Sequence, residues 1–364
     1  MAFLAACIFC LFVAATVAVV VGHIIAWILY IPMSVRVFGE TPWLPAPWRE
    51  PLKGGEQVEF ATDDGLQLSG TYLSSGKQQR KGVVVFCHEL NGDRWSCSPY
   101  VEDLSRQGFD VFTFDFRNHG TSGRRPDYEP LPWVTTFELA DVRAAIDYLS
   151  LRADADPAGI GLFGISKGGT VALCATAYDP RVRALIVDGA CPTERMQLYY
   201  ARRFAKIFAR YSWMLTRLPN ISLRTTNALT RLIISRRRNC RFVNVDVAAR
   251  KIRQPVLMIH GRRDSHIPLE IVQNLRATMC KGTKLWAISD AKHNGSISVV
   301  RETYHRRIAR FLQRNLCPSQ ATSQPASPLT RRQKIAGRLW KSEAQRDSST
   351  SHEADHRSPV ATIE

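Results

Sequence analysis

The sequence predicts an α/β fold: a mostly parallel, doubly wound sheet with a helical cap insertion, preceded by an N-terminal transmembrane helix. Three observations predict it. Between residues 56 and 316, short and nearly continuous apolar runs alternate with longer segments of 3.6-residue apolar periodicity, the pattern of strands covered on both faces and of the helices that cover them. Between about 191 and 250 helical pattern alone replaces that alternation. Finally, the first 35 residues contain no Asp, Glu, Lys or Arg.

Taking the chain in order, residues 2–31 exceed the roughly 20 apolar residues that a bilayer span requires. The segment lacks the basic start and small-residue cleavage site of a secretory leader, and it ends in Trp27, Tyr30 and Pro32, which suit the headgroup region. An uncleaved single span over 1–35 is therefore expected. Arg36, Arg49 and Lys53 follow it and no basic residue precedes it, which places the remainder on the cytoplasmic side. TPWLPAPWREP (41–51), inside a linker over 36–55, reads as chain lying near the interface.

EQVEFATDDGLQLSGTYL (56–73) alternates around Asp64-Gly65 and predicts a β-hairpin. Strands follow at 81–89, 109–117, 158–166, 182–190, 254–261 and 283–290, with amphipathic helices between them. The last helix is expected to pack Val299, Val300, Ile308 and Phe311 and to expose its arginines. An insertion at 191–250 would lie over the C-terminal ends of the strands as a cap. The tail, 317–364, is polar and Ser/Thr/Pro/Gln-rich and is expected to be disordered, with a basic stretch at 331–341.

The formal charge of +17 raises nucleic acid, an anionic membrane or an acidic ligand as partners. No zinc-finger spacing or RNA-stacking motif accompanies it, so no nucleic-acid role is assigned. The basic residues of the cap, Arg202, Arg203, Lys206 and Arg210, fit an acidic substrate, anionic lipid or simple solvation equally. Nine scattered cysteines, an odd number, do not suggest a disulfide framework, and a reducing compartment suits them. Cys7 and Cys10 have CxxC spacing inside an apolar helix without a second pair, which gives no metal or redox site. Nothing in the sequence specifies an oligomeric state.

Chemistry concentrates at Gly164-Ile165-Ser166-Lys167-Gly168-Gly169. A G-x-S-x-G match arises by chance roughly once in ten chains of this length, so its context decides. A strand pattern precedes it and a helical one follows, and a sharp strand-to-helix turn needs small residues beside an exposed nucleophile. The helix N-terminus then favours negative charge developing there.

With these residues the chain resembles the α/β-hydrolase superfamily over roughly 56–316. The resemblance implies Ser166 as nucleophile, Asp264 in HGRRDSHIP (260–268) as the acid, and His293 in SDAKHNGS as the base. Asp188, after the preceding strand, is the alternative acid. It further implies that the backbone N–H groups of Leu90 and Lys167 form the oxyanion hole. Glu89 stands after His88 where the family usually carries glycine, and Asn118 in FTFDFRNHGTSG (112–123) replaces another glycine. His88, Asp115, Arg117, His119 and His266 are expected to organise loops. Lys167 beside the nucleophile resembles branches containing acyl-CoA thioesterases and dienelactone-hydrolase-like proteins. The expected reaction is hydrolysis of a carboxylic ester or thioester on an acyl or other small-molecule substrate, with no metal or organic cofactor. Peptide hydrolysis and a non-catalytic membrane scaffold of the same fold are the alternatives.

Overall fold

Alternating side chains on either side of Asp64-Gly65 can bury only one face, and they fold into the hairpin of β1 (Glu56–Ala61) and β2 (Gln67–Leu73). In the antiparallel register Phe60 lies opposite Leu68, and both face the core. The Val- and Phe-rich runs that follow tolerate no wet face, except the last, whose strand lies at the sheet edge and is only half-buried. They become β3 (Val83–Cys87), β4 (Asp110–Phe114), β5 (Ile160–Ile165), β6 (Val182–Asp188), β7 (Val256–Gly261) and β8 (Lys284–Ile288). This computed structural model describes residues 1–317 apart from 43–46, 48, 79, 155–158 and 209–219. The tail from 318, including 331–341, and Arg210 thus lie outside the described residues. One eight-stranded sheet runs in the order β1-β2-β4-β3-β5-β6-β7-β8. Its β1–β2 and β2–β4 pairs are antiparallel and all the others parallel.

Helices α1 (Ala2–Gly39), α2 (Ser98–Arg106), α3 (Thr136–Leu151), α4 (Lys167–Tyr178), α5 (Thr193–Phe208), α6 (Asn220–Arg237), α7 (Val245–Lys251), α8 (Leu269–Ala277) and α9 (Ser296–Leu316) complete the described chain. On one face of the sheet, Tyr100 and Leu104 of α2 and Tyr304, Ile308 and Leu312 of α9 pack against Phe86, Phe163 and Ile186. Each such fully buried apolar side chain contributes about 1.5–3 kcal/mol. Helices α3, α4 and α7 pack on one another at the other face. A capping box starts α3, in which Thr135 and Glu138 satisfy each other's backbone N–H groups.

One expectation is corrected. Val299 of α9 is exposed, because non-helical angles at Val300 (φ −135°, ψ 43°) break the helical phase ahead of the buried row Tyr304, Ile308 and Leu312. The helix α1 runs through Pro32 to Gly39. Tertiary partners hold that extension. Val35 and Phe38 are buried, the Trp133 indole N–H donates to the Phe38 carbonyl at 2.9 Å, and Arg238 donates to that of Gly39 at 3.0 Å. Farther up the helix, His23 Nε2 meets Ser222 Oγ of α6 at 2.6 Å. Residues Ala2–Ile25 have a mean hydropathy of 2.9, are not buried, and are long and apolar enough to cross a membrane. None of the nine cysteines, all among the described residues, forms a disulfide.

Candidate active site

β5 hands the chain to α4 through Ser166, which adopts φ 50°, ψ −118°, a left-handed conformation that non-glycine residues seldom occupy. The sequence permits this turn by removing side chains around it. A Cβ at Gly164 would lie 2.5 Å from the Gly168 carbonyl oxygen, and one at Gly168 would lie 2.2 Å from those of Cys87 and His88. The turn thereby lifts the Ser166 side chain clear of the sheet and aims the start of α4 beneath it.

Opposite, the turns after β7 and β8 supply two further residues. Ser166 Oγ lies 3.0 Å from His293 Nε2, and His293 Nδ1 lies 2.7 Å from Asp264 Oδ2. A carboxylate only accepts, so the imidazole carries its proton on Nδ1 and leaves Nε2 free to take one. Asp264 is fixed in turn: its Oδ1 accepts the N–H groups of His266 (2.8 Å) and Ile267 (2.9 Å). Burial opposes its charge, yet the hydrogen bonds from His293 and the Ile267 N–H outweigh it and hold the carboxyl below the usual carboxylate range. The alternative acid, Asp188, serves elsewhere. Its two oxygens accept Ser296 Oγ (3.1 Å) and Tyr304 OH (3.0 Å), and burial pushes its carboxyl up to about 6.

Leu90 and Lys167 lie at the expected loop and helix start. Hydrogen bonds among the described residues engage neither backbone N–H. The loop around Leu90 is held from both sides. His88 Nε2 accepts the Phe116 N–H at 3.1 Å, so its Nδ1 carries the proton and donates it to the Glu89 carbonyl at 2.7 Å. That carbonyl belongs to the same peptide as the Leu90 N–H. His119 Nε2 reaches the Leu90 carbonyl at 2.6 Å. Burial pushes the His88 imidazole well below its ordinary range and keeps it neutral. Asp115 accepts from Arg94 and Thr121, and Arg117 is buried between Asp141 (2.7 Å) and Asp64 (3.0 Å). Asn118 fills its glycine position with φ 62°, and its amide bonds the carbonyls of Arg125 and Tyr128.

The Lys167 side chain turns inward. It is buried and paired with Glu138 Oε1 at 2.7 Å, where Tyr128 also donates. It therefore braces α4 against α3 and does not line the cavity. Sequence reasoning missed Glu138. The capping-box spacing Thr135-x-x-Glu138 marks a helix start, and nothing in it foretells an ion pair with the residue after the nucleophile.

A cavity of about 760 Å³ opens beside Ser166 and His293, with Leu90, Tyr100, Ile297 and His266 in its wall. The His266 ring lies 5.3 Å from that of His293, so this residue borders the site as well as its own turn. Arg202, Arg203 and Lys206 do not line it. Besides its histidines and Tyr100, the ionisable wall residues are Glu50, Glu89, Glu102 and Arg301, the last paired with Glu102 at 3.2 Å. An accessible hydroxyl next to a neutral, carboxylate-oriented imidazole can attack a carbonyl carbon and store its proton on the ring.

Comparisons with known proteins agree with this architecture. The alpha/beta hydrolase fold family matches over residues 82–220. YfhR of Escherichia coli O157:H7 is 24% identical over 318 residues, 85% of this chain and 95% of that protein. The thiohydrolase aneE of Aspergillus aculeatus is 33% identical over 138 residues, 37% of this chain and 41% of its own. Among solved structures, the esterase Pf2001 of Pyrococcus furiosus superposes with a TM-score of 0.56 at 24% identity, covering 76% of this chain and 98% of that one. The alpha/beta hydrolase GrgF of a Penicillium species gives 0.55 at 20% identity, covering 72% and 99%. The matched segment, and a sheet that turns sharply into a helix at Ser166, show that the chain has the alpha/beta hydrolase fold.

Proposed function

We propose that this hydrolase is a membrane-anchored serine hydrolase that cleaves a carboxylic ester or thioester by two-step acyl transfer. The reading is carried by the unbroken hydrogen-bond line from Ser166 Oγ through His293 to Asp264. His293 Nε2 takes the hydroxyl proton as Ser166 Oγ bonds to the substrate carbonyl carbon, and Asp264 stabilises the imidazolium that forms. The N–H groups of Leu90 and Lys167 receive the oxyanion, with the α4 N-terminus behind them. As the adduct collapses, His293 returns the proton to the leaving alkoxide or thiolate. Water, activated by the same imidazole, then hydrolyses the acyl-enzyme. The partial similarity to a thiohydrolase and the shared fold with an esterase support both leaving groups.

Residues 1–35 act in this reading as a single span, and the basic residues that follow it favour a cytoplasmic catalytic domain over 56–316. The helices α5 and α6, within 191–250, form its cap. Fluorophosphonate labelling of the purified full-length protein tests the proposal. Wild type is expected to take the label and Ser166→Ala to take none; a folded wild-type protein that stays unlabelled would sink it.

A further inference from the structure

Glu89 occupies the place where glycine is usual, and the structure is built to receive it. Its side chain is 93% withdrawn from solvent, at 7% exposure, yet it lines the same cavity as Ser166 and His293. Room for the carboxyl exists because residue 92 is glycine: a Cβ there would stand 3.1 Å from Glu89 Oε2 and 2.8 Å from Ser96 Oγ. We propose that Glu89 works in the acyl-transfer site as a neutral carboxylic acid, and that its ionisation suppresses the reaction of Ser166. The proposal rests on the serine-hydrolase reading above.

Proton counting supports the neutral form. Ser96 Oγ sits 2.8 Å from the Asp93 carbonyl oxygen and 3.2 Å from Glu89 Oε2, and both neighbours would accept. A hydroxyl has one proton to give. If Ser96 donates to the nearer Asp93 carbonyl, its oxygen is left to accept, and only a protonated Glu89 can donate to it. The surroundings agree. Asp93 in the same loop, Glu50 ahead of β1 and Glu102 on α2 are like charges, and Tyr100 and Cys97 pack there as uncharged groups. The nearby cations are engaged, Arg49 with Asp93 at 2.8 Å and Arg301 with Glu102 at 3.2 Å. His266 and His293 line the same cavity. Burial, reinforced by the charge of Asp93 and opposed by the local hydrogen bonds and by His293, pushes the Glu89 carboxyl up to about 7.

An ionised Glu89 would act against the oxyanion. It lies next in sequence to Leu90, whose N–H is assigned to the oxyanion, and its negative charge opposes the charge that grows there. The working acid form is present below the pKa of Glu89 and is lost as the pH rises through it. For an uncharged reagent the site should therefore slow on the alkaline side of neutrality, and an anionic acyl group should be disfavoured there.

The test is the rate of fluorophosphonate labelling of the full chain in detergent from about pH 6 to 9, for wild type, Glu89→Gln and Asp93→Asn. Above neutrality the wild-type rate should fall, approaching roughly tenfold per pH unit for a single ionisation. Glu89→Gln should show no such fall. Asp93→Asn keeps a side-chain oxygen for the Trp95 N–H, removes a like charge and releases the Arg49 cation, and both changes should move the falling limb to lower pH. A wild-type rate that holds level to pH 9, or an unchanged limb in Glu89→Gln, overturns the role of Glu89 and leaves the hydrolase reading standing. No labelling of wild type at any pH overturns the hydrolase reading itself. Should Glu89→Gln fail to fold, the wild-type profile and the Asp93→Asn shift still decide, since a purely structural Glu89 would move neither.

Discussion

Two buried aspartates stand near His293, and the chemistry separates them. Asp264 presents one oxygen to the imidazole and the other to two backbone N–H groups, whereas Asp188 spends both oxygens on Ser296 and Tyr304. In Asp264→Asn the backbone contacts can persist, but an amide facing Nδ1 favours the wrong imidazole tautomer. The labelling rate should then fall by about 10⁴-fold. Asp188→Asn should change it less than about tenfold, because the Asp188 carboxyl is bonded to Ser296 and Tyr304 and not to His293. Comparable losses in the two variants would remove the distinction. The sequence carried Ser166, Asp264 and His293 legibly because each sits in a short local pattern at a strand end. It did not carry Glu138, which meets Lys167 across two helices 29 residues apart. Nor did it reveal the setting of Glu89, which depends on space left by Gly92 and on the hydroxyl of Ser96.

At the scale of elements, the strands were legible because a sheet covered on both faces demands continuous apolar residues, and Val83–Cys87 or Val256–Gly261 offer little else. The end of α1 was not legible. Pro32 and the first charges suggest a stop near 35, but Phe38 and Gly39 are captured by Trp133 and Arg238, which are distant in sequence. The kink at Val300 escaped for a similar reason, since nothing in its local sequence breaks a helix. The packed half of α1 gives a paired prediction. Deleting 2–22 leaves His23, Val35 and Phe38 in place, and the melting temperature should stay within about 2 °C of wild type. Deleting 2–39 strips Phe38 and Val35 from the fold and uncovers Ile234 and Trp133. Since each fully buried side chain contributes about 1.5–3 kcal/mol, thermal melting of the longer deletion should fall by several degrees. Equal melting of the two deletions would mean that 23–39 is a passive tether.

Taken whole, the molecule combines two unrelated reasons to meet a membrane: an apolar helix over Ala2–Ile25 and a formal charge of +17. They differ in how they respond to salt. Attraction between basic side chains and anionic lipid weakens as the Debye length shrinks from about 10 Å at 0.1 M to 3 Å at 1 M. Burial of some 20 apolar residues in hydrocarbon does not depend on ionic strength in that way. If the N-terminal helix is the anchor, full-length protein sedimenting with membranes should stay there in 1 M NaCl and be released only by detergent. The 2–22 deletion, which keeps the charge unchanged because those residues include no Lys, Arg, Asp or Glu, should come off in salt or never bind. Release of the full chain by salt alone would instead assign the attachment to its basic residues, and the apolar helix would then need another role.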